Sequence, residues 1–280
     1  MELNSILPVI LASMVSIAYA ALGEVLIERS GILNLSIEGV LAAGALTAFW
    51  INYQTGEFLL SVGSVILVGA SWGTILALFM VWRVNNQILI GLIGAFLLVS
   101  VTNHLGQPYV NTVAPKAPHD YWLWLLLPLT AAAGYFLSHT TWGLQLRAVG
   151  EAPEECYANG IKVNRIRTLT LIAGCILMAL GGAQLELVMV RGIWVNNLVS
   201  GRGWIAYAVT VFSGWNPKLA LLGALMFGAA TTSQFALQSW GVDIPSSLLS
   251  GLPYVLALMA YLFSLSSQPA ALSEPWQPTK

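Results

Sequence analysis

The chain has 280 residues, a formal net charge of −1, 8% charged and 57% apolar residues, and a mean hydropathy of +0.76. Soluble domains carry about a quarter charged residues, so this composition excludes an ordinary soluble globule and points to an all-α polytopic membrane protein. There is no basic excess for a nucleic-acid polymer, and the two cysteines and three scattered histidines show no metal-ligand spacing.

The N-terminal MELNS carries an acid and no Lys or Arg, a poor signal peptide, so the first span is expected to be retained. Apolar runs follow at 7–27, 40–53, 58–82, 87–104, 122–138, 169–190, 219–237 and 248–265. The 204–212 run is only half a span, and 40–53 is too short to cross about 30 Å unless it extends back to Leu35. The count is about eight transmembrane helices plus a half-helix, in a single transmembrane domain over 1–280. Gly69 and Gly73 form a GxxxG pair, read as a helix-packing face.

The longest polar interval, 143–168, holds Arg147, Lys162, Arg165 and Arg167. Short loops rich in Lys and Arg stay cytoplasmic, which places this loop, Arg29 and Arg83 inside. Glu57, the 106–120 loop and the 191–203 segment then fall outside, and the tail inside. Within the loop, Pro153 suits the first position of a helix. Glu154 and Glu155 suit its first turn, and Gly160 suits its stop. A helix of about two turns is predicted, either an interfacial connector or a docking element.

Two intervals break the helical pattern at membrane depth, 31–39 (GILNLSIEG) and 201–217 (GRGWIAYAVTVFSGWNP). Backbone released there must be buried in protein or line a cavity. Asn34, Ser36 and Glu38 from the first, with Trp204 and Tyr207 from the second, are candidates for lining a solute route. Asn86 and Gln87 open the fourth span and either bond between helices or meet a polar solute. Glu24 and Glu28, beside Arg29, read as a charge cluster at the cytoplasmic end of the first span. Glu186 is a further acid within a span. There is no GxxxxGK[ST] and no catalytic His–carboxylate or Ser–His arrangement. Transport driven by ATP would need an ATPase on another chain. A stand-alone channel or proton-coupled carrier using Glu24, Glu38 and Glu186 is the rival.

LGEVLIERSGILNLSIEG (22–39), the Asn86-Gln87 pair with Gly91, LRAVGEAPEECYANGIKVNRIR (146–167) and the 201–217 stretch occur in one order over nearly the whole chain. Together they resemble the permeases of bacterial ABC importers for nucleosides, in the group with ribose and branched-chain amino-acid permeases. Departures from that pattern are Cys156-Tyr157, where small residues are usual, and Tyr207-Ala208. The resemblance implies a type II-like importer in the cytoplasmic (inner) membrane. It implies a second permease subunit, ABC ATPase subunits, an extracytoplasmic solute-binding protein and surrounding membrane lipid. It implies no cofactor. It makes the Pro153 helix a coupling helix, with Arg147, Gly150, Glu151, Pro153, Glu154, Glu155, Gly160 and Arg165 as the coupling set. Purine nucleosides are the expected solute; riboflavin, sugars or another small metabolite are alternatives.

Overall fold

The computed structural model describes residues 3–83, 86–114, 121–239 and 268–277, with single positions at 251, 255 and 259. Ten α-helices are present among them: α1 Leu3–Glu28, α2 Ile37–Thr55, α3 Phe58–Ala77, α4 Gln87–Gly106, α5 Tyr121–His139, α6 Thr141–Glu151, α7 Pro153–Ala158, α8 Val163–Gln184, α9 Arg202–Phe212 and α10 Pro217–Ser239. π turns extend α3 through Leu78–Trp82 and α8 through Leu185–Met189. The described residues contain no strand, only an isolated antiparallel bridge between Val113 and Ile193.

Helix α8 is the axis of the bundle and packs on α1, α2 and α3. Lipid tails are as apolar as leucine, so helices in a membrane associate through close packing of small residues. The predicted Gly69 and Gly73 face meets α8. A Cβ on Gly69 would lie 2.8 Å from the Ile176 Cα, and one on Gly73 would lie 2.6 Å from the Ile172 Cα. The first span is 78% buried over its most apolar window and the α8 span 67%, against 22% for the α4 and α5 spans. Helices α1 and α8 therefore form the centre. Helices α4 and α5 form a rim that turns Phe96, Leu97, Trp124 and Leu125 outward.

Among the described residues five helices are long and apolar enough to cross a membrane: Leu7–Glu28, Phe58–Trp82, Gln87–Tyr109, Tyr121–His139 and Val163–Met189. The chain is a multi-pass membrane protein, but the expected eight spans are not reached among the described residues. The predicted runs at 40–53 and 219–237 are the helices α2 and α10, which carry more small and polar residues. The run at 248–265 lies outside the described residues. The half-helix is α9, eleven residues long.

The polar interval 143–168 is more helical than its sequence indicates. Helix α6 fills its first third, and α8 begins at Val163, six residues before the apolar run at 169. The reason is Arg167, which is buried. Its Nε donates to the Ser30 carbonyl at 3.1 Å, so a charged residue fits inside the helix contact.

Candidate functional site: two latched intervals and a polar elbow

Helix α1 ends at Glu28, and Gly31 (φ +83°) turns the chain into an extended stretch that leads to α2. Asn34 sits at its centre, fully buried. Its backbone N–H donates to Glu24 Oε1 at 3.3 Å and its side-chain amide donates to Glu24 Oε2 at 3.2 Å. Its carbonyl oxygen accepts from the Ser36 N–H at 3.0 Å and the Ser36 hydroxyl at 2.7 Å. The Trp72 indole donates in turn to Ser36 at 3.3 Å. The stretch has no helical hydrogen bonds of its own, and these side chains supply substitutes, as buried backbone requires. Gln87 belongs to the same structure: it is buried and its Oε1 accepts from the Leu33 N–H at 2.8 Å. Asn86 stays exposed and caps α4, accepting from the Leu89 N–H at 3.1 Å.

Glu38 joins the two intervals. Ser200 and Gly201 both have positive φ, so the chain turns sharply into α9. The N-terminus of a helix exposes unpaired N–H groups and the positive end of its dipole. The carboxylate of Glu38 meets both: Oε1 accepts from Gly201 and Oε2 from Gly203, each at 2.7 Å. Gly203 permits this approach, because a Cβ there would lie 2.6 Å from the Glu38 Cα. At the other end of α9, Arg29 donates to the carbonyls of Gly214 and Trp215, both at 3.1 Å, and the Trp215 indole donates to Glu28. The half-helix is thus latched to α2 at one end and to the end of α1 at the other. Trp204 is 37% exposed and Tyr207 half-buried on its surface.

These contacts change the reading of Glu24, Glu28 and Arg29. The two acids are fully buried and bond to one another, Glu24 also to Asn34 and Glu28 also to Trp215, while Arg29 turns to the end of α9. Burial pushes the Arg29 guanidinium below the ordinary arginine range; neighbouring Arg147 adds to that, and Glu151 opposes it.

The elbow is built from α6 and α7. Thr140 caps α6 by accepting from the Gly143 N–H at 3.0 Å. Pro153 opens the six-residue α7, with Glu154 and Glu155 in its first turn. Both acids are exposed, while Pro153 and Cys156 are buried. Gly160 (φ +80°) ends the helix and donates to the Tyr157 carbonyl at 2.9 Å. Gly150 packs directly on the Arg29 backbone. Arg147 is half-buried beside Arg29, and Arg165 is exposed on the first turn of α8.

The tail at 268–277 also belongs to the elbow, which the sequence reading missed. The Ala270 N–H donates to the Glu151 carboxylate at 3.1 Å, Ala271 to the Gly150 carbonyl at 3.0 Å, and Ser273 to the Gly31 carbonyl at 3.2 Å. Trp276 is buried edge-on against Tyr157, with ring centroids 5.5 Å apart. A lone tryptophan between Pro275 and Pro278 was the available signal.

Residues 6–262 match the family described as the permease component of the branched-chain amino acid transport system. The chain belongs to this family. Its relatives include the guanosine ABC transporter permease protein NupQ of Bacillus subtilis, 28% identical over 92% of this chain and 91% of that protein. The nucleoside ABC transporter permease protein NupC of Lactococcus lactis is 27% identical over 92% and 93%. TsgC13 of Haloferax volcanii, provisionally assigned as a glucose ABC transporter permease, is 31% identical over 86% and 80%. An inward-facing ABC transporter, provisionally of the metal-chelate type, shares the fold at a TM-score of 0.55 and 19% identity, over 92% of this chain and 86% of that one. The chain is accordingly a transport component, and its architecture is that of an ABC permease.

In this permease the Glu38 latch makes a direct prediction. Glu38→Gln leaves one amide oxygen for two N–H donors and sets an NH2 against the second. Hydrogen bonds to a charged group contribute about 1.5–3 kcal/mol. The substitution is therefore expected to lower the thermal midpoint of the purified protein by several degrees. A midpoint equal to that of the unaltered protein would show that the latch contributes nothing.

Proposed function

We propose that this permease is one transmembrane subunit of an ATP-driven nucleoside importer in the inner membrane. It pairs with a second permease, receives solute from an extracytoplasmic binding protein, and docks ATPase subunits on α6 and α7. The observation that carries this reading is the elbow itself. The six-residue α7 holds two acids outward and sets Tyr157 against Trp276 of the tail, while the adjoining end of α6 is braced by the tail and by the end of α1. A mere connector between spans needs no such bracing. Gly150, Glu151 and Arg147 tie the elbow to Arg29, and Arg29 holds the end of the half-helix. Movement at the docking surface thus has a short packed route to the two intervals.

For the pathway, Asn86, Trp204 and Tyr207 offer accessible surface to a solute. Asn34, Ser36, Glu38 and Gln87 hold the intervals in shape behind them. Nucleosides are favoured by the names of NupQ and NupC, whereas TsgC13 favours a sugar. The test is reconstitution of the permease pair with its ATPase and binding protein in proteoliposomes. ATP-dependent uptake of labelled guanosine, competed by other nucleosides and not by glucose, is expected. Uptake competed by glucose alone would assign the sugar. Uptake by this chain alone without ATP would make it a self-sufficient carrier.

A further inference from the structure

A groove of about 520 Å³ opens beside the elbow, where α8 begins and the α3 span ends. Its walls are apolar and aromatic: Trp82, Leu169, Tyr157 and Trp276. Trp82 is 58% exposed and is held by its indole N–H, which donates to Thr168 Oγ1 at 3.1 Å. Lys162 and Arg165 line the same groove, both exposed, and no acid lines it among the described residues. Lys162 also stands at the N-cap of α8 without a side-chain cap, so the positive helix end adds to the same rim.

The vertical order of these residues is informative. Trp82 is the last residue of one span, and Leu169 lies inside another. At 1.5 Å per residue, Arg165 and Lys162 stand about 6 and 10 Å further along α8 than Leu169. An apolar slot at the membrane edge therefore leads up to two cations and a helix N-terminus. Interfacial tryptophans mark the headgroup level, and basic pockets between spans on the cytoplasmic side suit anionic headgroups.

We propose that this groove is a binding site for one anionic phospholipid of the cytoplasmic leaflet. Its phosphate meets Lys162 and Arg165, and its acyl chains run down past Leu169 and Trp82. Arg165 serves the lipid under this assignment and not the ATPase. The tail completes the site, because Trp276 forms one wall while the backbone around it is tied to Glu151 and Gly31. The inference rests on placing the elbow in the cytoplasm, but lipid binding is measured without any transport.

The test is native mass spectrometry of the purified transporter complex, supplied with phosphatidylglycerol or phosphatidylcholine in equal amounts. The unaltered complex is expected to retain phosphatidylglycerol in preference, by about fivefold for each rim cation at low salt. Lys162→Gln combined with Arg165→Gln is expected to bring the ratio close to one. Trp276→Ala is expected to weaken retention of both lipids while leaving their ratio. Headgroup preference is judged against each variant's own phosphatidylcholine signal, and total retention as lipid-bound over lipid-free complex, so a change in yield does not affect either reading. Equal retention by the unaltered complex, or a preference surviving the double substitution, would overturn the proposal. Glycerol 3-phosphate displacing the lipid at equal concentration would reduce the groove to a phosphate site. Release of the lipid whenever ATPase subunits are bound would give the groove to the ATPase.

Discussion

Asn34→Leu is expected to damage the folded protein more than any other single change in the first interval. Leucine has nearly the shape of asparagine, so little volume is lost. What is lost is the side-chain bond to Glu24 and the acceptor for both Ser36 donors. All three residues are fully buried, and water cannot replace the missing partners. Each buried group left unpaired costs about 1–3 kcal/mol, so the total is on the order of 3 kcal/mol or more. For a chain of this size that corresponds to a fall in thermal midpoint of roughly 10 °C. Glu24→Met in the same protein removes one of the stranded groups, and the double variant is expected to regain part of the loss. Such recovery is the mark of a direct pair. Fluorescence-detected size exclusion after heating measures the midpoint, and uptake is normalised to assembled protein. A variant that melts normally but transports poorly per molecule would move Asn34 from the scaffold to the solute.

How much of this was legible in the sequence depended on distance along the chain. The short helix α7 was readable because Pro153, Glu154, Glu155 and Gly160 act locally, and the structure gives them the expected positions. The half-helix was readable because Gly201 and Pro217 punctuate it on both sides. The latches were not readable. Glu38 caps a helix 163 residues away, and Arg167 bonds a carbonyl at a separation of 137. No periodicity reports a partner at that range. Glu24 and Glu28 do pair with each other, as their spacing suggests, but their further partners Asn34 and Trp215, and the Gly214 and Trp215 carbonyls that hold Arg29, come from tertiary contacts. The span count is a different case. Helices such as α2 carry glycine and alanine where they approach α8, so among the described residues five helices are apolar enough to count as spans, and the run at 248–265 lies outside them.

Glu154→Lys combined with Glu155→Lys is expected to abolish ATP-driven uptake while leaving the protein folded. Both side chains project from the elbow into solvent, so their reversal disturbs no internal packing. Surface substitutions of this kind usually alter stability by less than about 0.5 kcal/mol. A docking surface responds differently, because like charges brought together across an interface cost several kcal/mol. Gly160 supplies an independent probe. Nothing lies within 4 Å of a Cβ built there, yet its φ is +80°. Any penalty therefore comes from the backbone, about 1–2 kcal/mol for an ordinary residue. Gly160→Asn, which tolerates this conformation, is expected to transport, and Gly160→Val is expected to fail by displacing the end of α7. Co-purification of the ATPase with each variant separates lost docking from lost folding. The double lysine variant should elute as a folded permease without ATPase, and Gly160→Asn should elute with it. Full uptake and full ATPase recovery in the double lysine variant would remove α7 from the docking surface.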